Sequence, residues 1–313
     1  MRTLIALFFL LILQNTITLK AQVSCIKQDF ISYGFPKYEH CSMKILPGAK
    51  AKLQDLEEAI SKAKHYIHIE YYKWYNDSIG RHMLDELAKA ANRNVKVRIL
   101  YDAFGCSGKD PNVTEEFINH YRSLGLELVG FDPMRFPYVN HALHRLHRKM
   151  VIIDGRMVYT GGLNIADYYI HGKPEIGKWA DMHARLEGPI VDGYQRLFAD
   201  MWYKETGEYL DSVAYKSPDA HLYDKLQEGY EAFVVDREPG KKSARIRQSY
   251  ISCLDNAQRR GRIINPYVSL VSSVRKALRE CIERGVEVEI LLGHKGDNLI
   301  SEVKASGRRL GET

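Results

Sequence analysis

His147, Lys149, Asp154, Gly161, Gly162 and Asn164 follow the pattern His-x-Lys-(x)4-Asp-(x)6-Gly-Gly-x-Asn, within HRKMVIIDGRMVYTGGLN at 147–164. An uncharged imidazole is a nucleophile, and an ammonium and a carboxamide can hold the oxygens of a phosphate as charge builds on them. These residue types therefore suit phosphoryl transfer through a covalent histidine, with no set of metal ligands. The glycines would let the backbone approach a substrate closely. Met150, Val151, Ile152 and Ile153 predict a buried strand that turns at Asp154–Gly155. Residues two apart on a strand share a face, so His147 and Lys149 point the same way.

The surrounding chain alternates between helical and strand periods. AKLQDLEEAISKAK has apolar residues at helical spacing and HYIHIEYY alternates as a strand. IGRHMLDELAKAANRN reads as a helix, VKVRILYD as a strand and TEEFINHYRSLG as a helix capped by Thr114 and stopped by Gly125. LELVGF, HRKMVIID, RMVYTGG and DMHARLEG read as strands, and GPIVDGYQRLFADMWYKETG as a long helix. The fold class is α/β, a mixed central sheet flanked by helices.

The stretch 256–298 repeats the order of helix end, strand, amphipathic helix, strand and Gly-containing turn seen from Ala63 to Gly105, with Ala257 matching Ala63. The same spacing carried on from His147 falls beyond Thr313. HKGD at 294–297 is no substitute, because Gly296 stands where a lysine is needed. The expected organisation is a signal or anchor at 1–22, one complete half at 45–210, a connecting segment at 211–235 and an incomplete second half at 236–313.

A net charge of +6 over 313 residues with 45% hydrophobic content allows a sizeable core and does not mark a dedicated nucleic-acid binder. It suits an anionic surface or plain solubility. Arg2 precedes the apolar run LIALFFLLIL at 4–13, which is short for a membrane span, and Ala21 follows a polar stretch. This predicts a secretory signal cleaved near Ala21–Gln22, ahead of an uncleaved anchor, and an exported, membrane-associated or periplasmic protein. In an oxidising compartment Cys25 could pair with Cys41, while Cys106, Cys253 and Cys281 read as single buried thiols. The five cysteines show no metal-binding spacing.

The motif resembles the HKD signature of the phospholipase D superfamily. AISKAKHYIHIEYY, VKVRILYDAFG, FDPMRFP, the motif and WADMHARLEGP follow in the order expected of bacterial cardiolipin synthases. That resemblance implies a phosphatidyltransferase that joins two phosphatidylglycerols through a phosphatidyl-histidine and releases glycerol. It also implies a duplicated fold in which each half gives one His-x-Lys to a shared cleft. The substrate would be an anionic phospholipid at a membrane surface, with no cofactor and no metal.

On this reading His147 is the nucleophile, and Lys149 and Asn164 bind phosphoryl oxygens. Asp154 belongs to the catalytic set in a supporting role, given that an Asp before Gly155 also suits a turn. Asp181, where the family places an acid, would orient the imidazole, and Glu70 would line the same cleft. Arg145 and Arg148 could hold a headgroup, though solvated charge is the commoner fate. His141 and His144 read as loop residues. Aromatics around Tyr71, Tyr72, Trp74, Tyr75, Tyr168 and Tyr169 either face a bilayer or pack, with packing favoured for Tyr71.

With one motif in hand, three explanations stay open: a truncated, weakly active product of a longer gene, a homodimer with one histidine from each subunit, or a degenerate module. The alternatives to the transferase are accordingly a phosphodiesterase or nuclease acting as a homodimer, and an inactive lipid-binding remnant.

Overall fold

A computed structural model describes residues 23–133, 144–174, 177–211, 215, 229–265 and 270–292. The expected signal at 1–22, His141 and the HKGD segment lie outside them. The chain divides into two compact units: Lys37–Val234 with Glu238–Lys241, and residues 23–36, 235–237 and 242–292 among those described.

The larger unit is built on β1 (Lys37–Pro47), β2 (Tyr66–Tyr71), β3 (Lys96–Asp102), β4 (Glu127–Phe131), β5 (Lys149–Ile153), β6 (Met157–Gly161), β7 (Met182–Glu187) and β8 (Tyr230–Phe233). They form one mixed sheet in the order β4-β3-β2-β5-β6-β7-β1-β8. β2, β3 and β4 run parallel, and every other neighbouring pair is antiparallel. The mixed α/β class read from the sequence is what forms. β1 and β8 were not foreseen, because KYEHCSMKILP and YEAF alternate too weakly to read as strands. They carry the sheet beyond the expected limits of 45 and 210.

Helices α1 (Gly48–Lys62), α2 (Ser78–Asn92) and α3 (Glu115–Ser123) cover one face. Leu53, Leu56 and Ile60 of α1 and Met83, Leu84 and Leu87 of α2 bury against Ile67, Ile69, Val97, Ile99, Val151 and Ile153. The short α4 (Tyr168–His171) follows β6, and α5 (Ile190–Thr206) covers the other face. There Val191, Phe198, Met201 and Trp202 pack on Leu100, Met150, Ile152 and Val158. β5 is thus buried on both faces, which explains why its sequence is a continuous apolar run.

The helix ends follow their capping residues. Thr114 accepts from the Phe117 N–H at 3.1 Å and Asp77 from the Gly80 N–H at 2.9 Å. α5 stops at Gly207, whose φ of 75° is the left-handed conformation that glycine adopts without strain.

The smaller unit holds a helical stretch at 23–32, α6 (Arg245–Asp255), β9 (Arg260–Ile264), α7 (Ser272–Glu283) and β10 (Glu287–Leu291). β9 and β10 pair in parallel around α7, the arrangement that β2 and β3 adopt around α2. Leu254, Ala277, Leu278, Cys281 and Val286 form its core. Asp29 accepts from Ser252 at 2.6 Å and Asn256 at 3.0 Å. Among the described residues no helix is long and apolar enough to cross a membrane.

All five cysteines are free, so the possible Cys25–Cys41 bridge does not form, and of the three thiols read as buried Cys106 and Cys281 are buried whereas Cys253 is exposed. Cys41 points into the core beneath α5 instead. The aromatics also pack inward: Tyr71, Trp74, Tyr75, Tyr168 and Tyr169 are buried and do not form a bilayer-facing rim.

Asp154 sits at φ 51° in the β5–β6 turn. Its carboxylate accepts from the backbone N–H groups of Lys64, His65 and Tyr66 at 2.8, 2.8 and 2.9 Å. Three charge-assisted bonds therefore tie the turn to the start of β2. Asp154→Ala should destabilise the protein by about 2–4 kcal/mol, and Asp154→Asn by less, since Asn keeps an acceptor and tolerates positive φ. Urea unfolding midpoints check this, and a change within about 0.5 kcal/mol for the alanine variant would remove Asp154 as a clamp.

Candidate active site

Several strand ends and one irregular segment converge on His147. The register pairs Tyr71 with Lys149, Gly161 with His183, and Leu46 with His183. The C-terminal ends of β1, β2 and β6 therefore meet the N-terminal ends of β5 and β7 along one rim. Residues 144–148 lead into β5 without regular structure and are pinned from below. Asp102, at the end of β3, accepts from the Leu146 N–H and the Gly105 N–H at 2.7 Å each. Burial raises the pKa of Asp102, and these backbone bonds and Arg145 counter it.

His147 presents an exposed edge, while Lys149 is buried at its side. Lys149 Nζ lies 3.2 Å from His147 Nδ1 and donates to the His147 carbonyl oxygen at 2.8 Å. The imidazole packs on Tyr72 with ring centroids 4.7 Å apart. The same phenol ring has Lys149 Nζ at 5.3 Å and Lys73 Nζ at 5.7 Å, both within cation–π range. Loss of solvation, then the ammonium groups of Lys149 and Lys73, hold His147 down at about 4. Burial brings Lys149 down to about 7; Asp181 and Asp102 favour its charge and Lys73 opposes it. An imidazole in this setting is neutral at physiological pH and open to attack an electron-poor centre, beside cations that suit an anionic group.

Several residues expected around the histidine stand elsewhere. Asp154 is at the far end of β5, roughly 20 Å of strand from His147, so it takes no part in the site's chemistry. Glu70 lies on the opposite face of the sheet, across from Met150, and pairs with Arg148 at 3.2 Å. Strand alternation puts it there, since Tyr71 beside it faces Lys149. Arg148 is thereby engaged, and Arg145 pairs with Asp132 at 2.7 Å and Asp102 at 3.7 Å. Both arginines fasten the segment around His147. His144 is exposed in the same segment.

Asn164 does reach the site but is largely committed. Its Oδ1 accepts from the Lys73 N–H at 3.1 Å and its Nδ2 donates to Tyr169 at 2.7 Å. One amide hydrogen is left for a ligand. Asp181 makes no hydrogen bond to His147 and accepts from the Met182 N–H at 2.7 Å, acting on the site through the charge of Lys149.

The glycine pair makes room for β7 rather than for substrate backbone contacts. A Cβ on Gly162 would stand 2.3 Å from Asp181 Oδ1. A Cβ on Gly161, at φ 156°, would stand 2.6 Å from the Met182 carbonyl oxygen and 2.7 Å from His183 Nδ1.

Sequence reasoning missed Tyr72, Lys73 and Asp102. Asp102 ends β3 and Tyr72 and Lys73 directly follow β2, and that position at the rim was the available signal. Among the described residues no group of three or more His, Cys, Asp or Glu side chains could hold a metal ion.

The family model described as cardiolipin synthase, PLD-like domain, matches residues 56–202. The chain is 34% identical over 263 residues to the probable cardiolipin synthase YwiE of Bacillus subtilis (strain 168), covering 83% of this chain and 51% of that protein. It is 33% identical to the cardiolipin synthase of Geobacillus sp. (strain WCH70), covering 82% of this chain and 50% of that one. The chain thus spans about half the length of these curated relatives. The phosphatidylserine synthase of Haemophilus influenzae Rd KW20 superposes with a TM-score of 0.63 over 92% of this chain and 73% of that chain, at 16% identity, a likeness of fold.

Removing the adjacent cation should free His147 to take up a proton more readily. In Lys149→Met the His147 pKa should rise from about 4 toward the ordinary 6.5, read from its imidazole carbon-bound protons by NMR. An unchanged titration would disconnect the two side chains. The sign for stability follows by linkage. Between pH 6.5 and 4 the unfolded chain binds more protons at His147, and also at His68 and His183, which burial holds at about 3 and about 2. Stability should therefore fall as the pH drops through that window, seen as a falling thermal midpoint.

Proposed function

We propose that the segment matching the family model described as cardiolipin synthase, PLD-like domain, residues 56–202, carries out phosphatidyl transfer through His147 on an anionic phospholipid, with phosphatidylglycerol as donor and acceptor. The observation that carries this reading is the neutral imidazole held 3.2 Å from a buried lysine at the rim of the sheet. A phosphate diester entering there meets a nucleophile and two ammonium groups together.

In the first step a ring nitrogen of His147 bonds to phosphorus and the bond from phosphorus to the glycerol headgroup oxygen breaks. The departing oxygen must gain a proton, because an alkoxide is a poor leaving group and a positioned acid contributes about 10²–10⁴-fold. We assign that acid to a second imidazole, supplied by a second His-x-Lys segment or by a second subunit. In the second step the hydroxyl of another phosphatidylglycerol loses its proton to that base and attacks phosphorus, and the bond to His147 breaks. Water in place of the lipid alcohol gives hydrolysis.

Lys149 and the remaining amide hydrogen of Asn164 hold the non-bridging oxygens, where negative charge accumulates. Asp181 favours the charged form of Lys149 against burial, and Tyr72 supports both the imidazole and the cations. The lipid substrate places the domain at a membrane surface.

The test is covalent trapping. With labelled phosphatidylglycerol vesicles and an acid quench, the wild-type chain should carry phosphatidyl label on histidine, and His147→Ala should carry none while keeping its circular dichroism. Lys149→Ala should slow labelling by about 10²-fold or more. Full labelling of His147→Ala would remove the nucleophile assignment. Cleavage of DNA with phosphatidylglycerol left untouched would replace the transferase with a nuclease. Turnover that rises with protein concentration as dimer forms would place the acid on a second subunit.

A further inference from the structure

Behind Lys149 the sheet carries a row of polar groups that the reaction as described does not use. Tyr71 pairs with Lys149 across β2 and β5, and Gly161 pairs with His183 across β6 and β7. The β5–β6 register, Met150 opposite Thr160, brings Lys149 and Gly161 side by side. Tyr71, Lys149, Gly161 and His183 therefore form one cross-strand row on one face, with neighbours about 4.5–5.5 Å apart. Lys52 enters over this row from α1, with its Nζ 5.1 Å from the centre of the Tyr71 ring.

Three of these residues are sealed from bulk water: Lys52 and Tyr71 are 0% exposed and His183 is 2% exposed. Lys52 Nζ, the Tyr71 hydroxyl and both ring nitrogens of His183 have no hydrogen-bond partner among the described residues. Buried polar groups in native proteins are nearly always satisfied, and an unpaired buried ammonium is among the costliest exceptions. The inventory is also lopsided. Lys52 offers three donors, and Tyr71 and neutral His183 one each, against few acceptors. Such a set is completed by an oxyanion.

The row reaches the surface at the glycine. Gly161 is exposed, and the Cβ it lacks would stand 2.7 Å from His183 Nδ1. The imidazole thus packs directly against the exposed Gly161, one layer beneath the rim.

We propose that Lys52, Tyr71 and His183 form the inner wall of the phosphate site, donating hydrogen bonds to an oxygen of a phosphate seated between Lys149 and His183. This deepens the phosphatidyl-transfer reading and rests on it. It explains why burial is allowed to drive Lys52 down to about 7: an arriving anion restores the ammonium and gains a charge-assisted bond in a site already shielded from water.

Inorganic phosphate is the probe, added to the full chain and followed by calorimetry and by the His183 imidazole resonances. Wild type should bind phosphate with a shift at His183. Lys52→Met replaces an unpaired buried cation with an apolar side chain of similar length, so it should raise the thermal midpoint yet weaken phosphate binding about ten-fold or more. Tyr71→Phe removes only a hydroxyl and should weaken binding a few-fold, which keeps the test decisive if Lys52→Met does not fold. Unaltered phosphate affinity in the folded variants, or His183 resonances that ignore phosphate, would overturn the inner wall and leave the transferase reading standing. Absence of phosphate binding by wild type would overturn both.

Discussion

β5 is held at both ends by carboxylates, and the rest of the site depends on that double clamp. At one end Asp154 gathers three backbone N–H groups at the start of β2. At the other, Asp102 takes the Leu146 N–H and fixes the residue before His147. Between them the strand is buried on both faces. A one-residue slip would swap Lys149 with Met150 and move the cation to the far side of the sheet. The carboxylates and the two apolar layers make that slip costly, so a histidine in an irregular segment still meets Lys149 at a defined distance.

This clamp gives the motif spacing a physical meaning. Lys149 and the four residues before Asp154 make up β5, and the six between Asp154 and Gly161 are the turn and the return along β6. The pattern measures one hairpin. His147 at its start and the glycines after the hairpin come back to the same rim, while Asp154 in its middle stays at the opposite end. A residue can thus belong to a chemical signature without touching the chemistry, because positioning His147 and Lys149 is itself the requirement.

Like charges crowd the rim. Lys149 and Lys73 share the face of Tyr72, and both lower the proton affinity of His147. The cost of holding two cations beside an imidazole is borne by the fold before any ligand arrives, which is what preorganisation for an anion means. The glycine pair serves the same end. By letting β7 approach closely, Gly162 brings the Asp181 carboxylate near enough to support the charge of Lys149. Gly161 lets the His183 imidazole pack directly beneath the rim.

The sequence alone determined the elements whose signals are local. A continuous apolar run marked β5 and alternation marked β2, helical spacing and the Thr114 cap marked α3, and the His-x-Lys spacing marked the nucleophile and its cation. Those signals are short-range: periodicity, capping and turn chemistry act within a few residues. β1 and β8 escaped because their pairing with β7 and with each other, not their own alternation, makes them strands. The places of Glu70, Arg145 and Arg148 were equally hidden, since the face a residue takes depends on the register of a strand eighty positions away. Only the tertiary structure decided that Asp181 acts on Lys149 and not on His147, that the glycines accommodate β7, and that Lys52 lies over Tyr71. Each of these is a contact between segments distant in sequence, set by sheet order and helix packing, and no local pattern encodes which distant neighbour a side chain will meet.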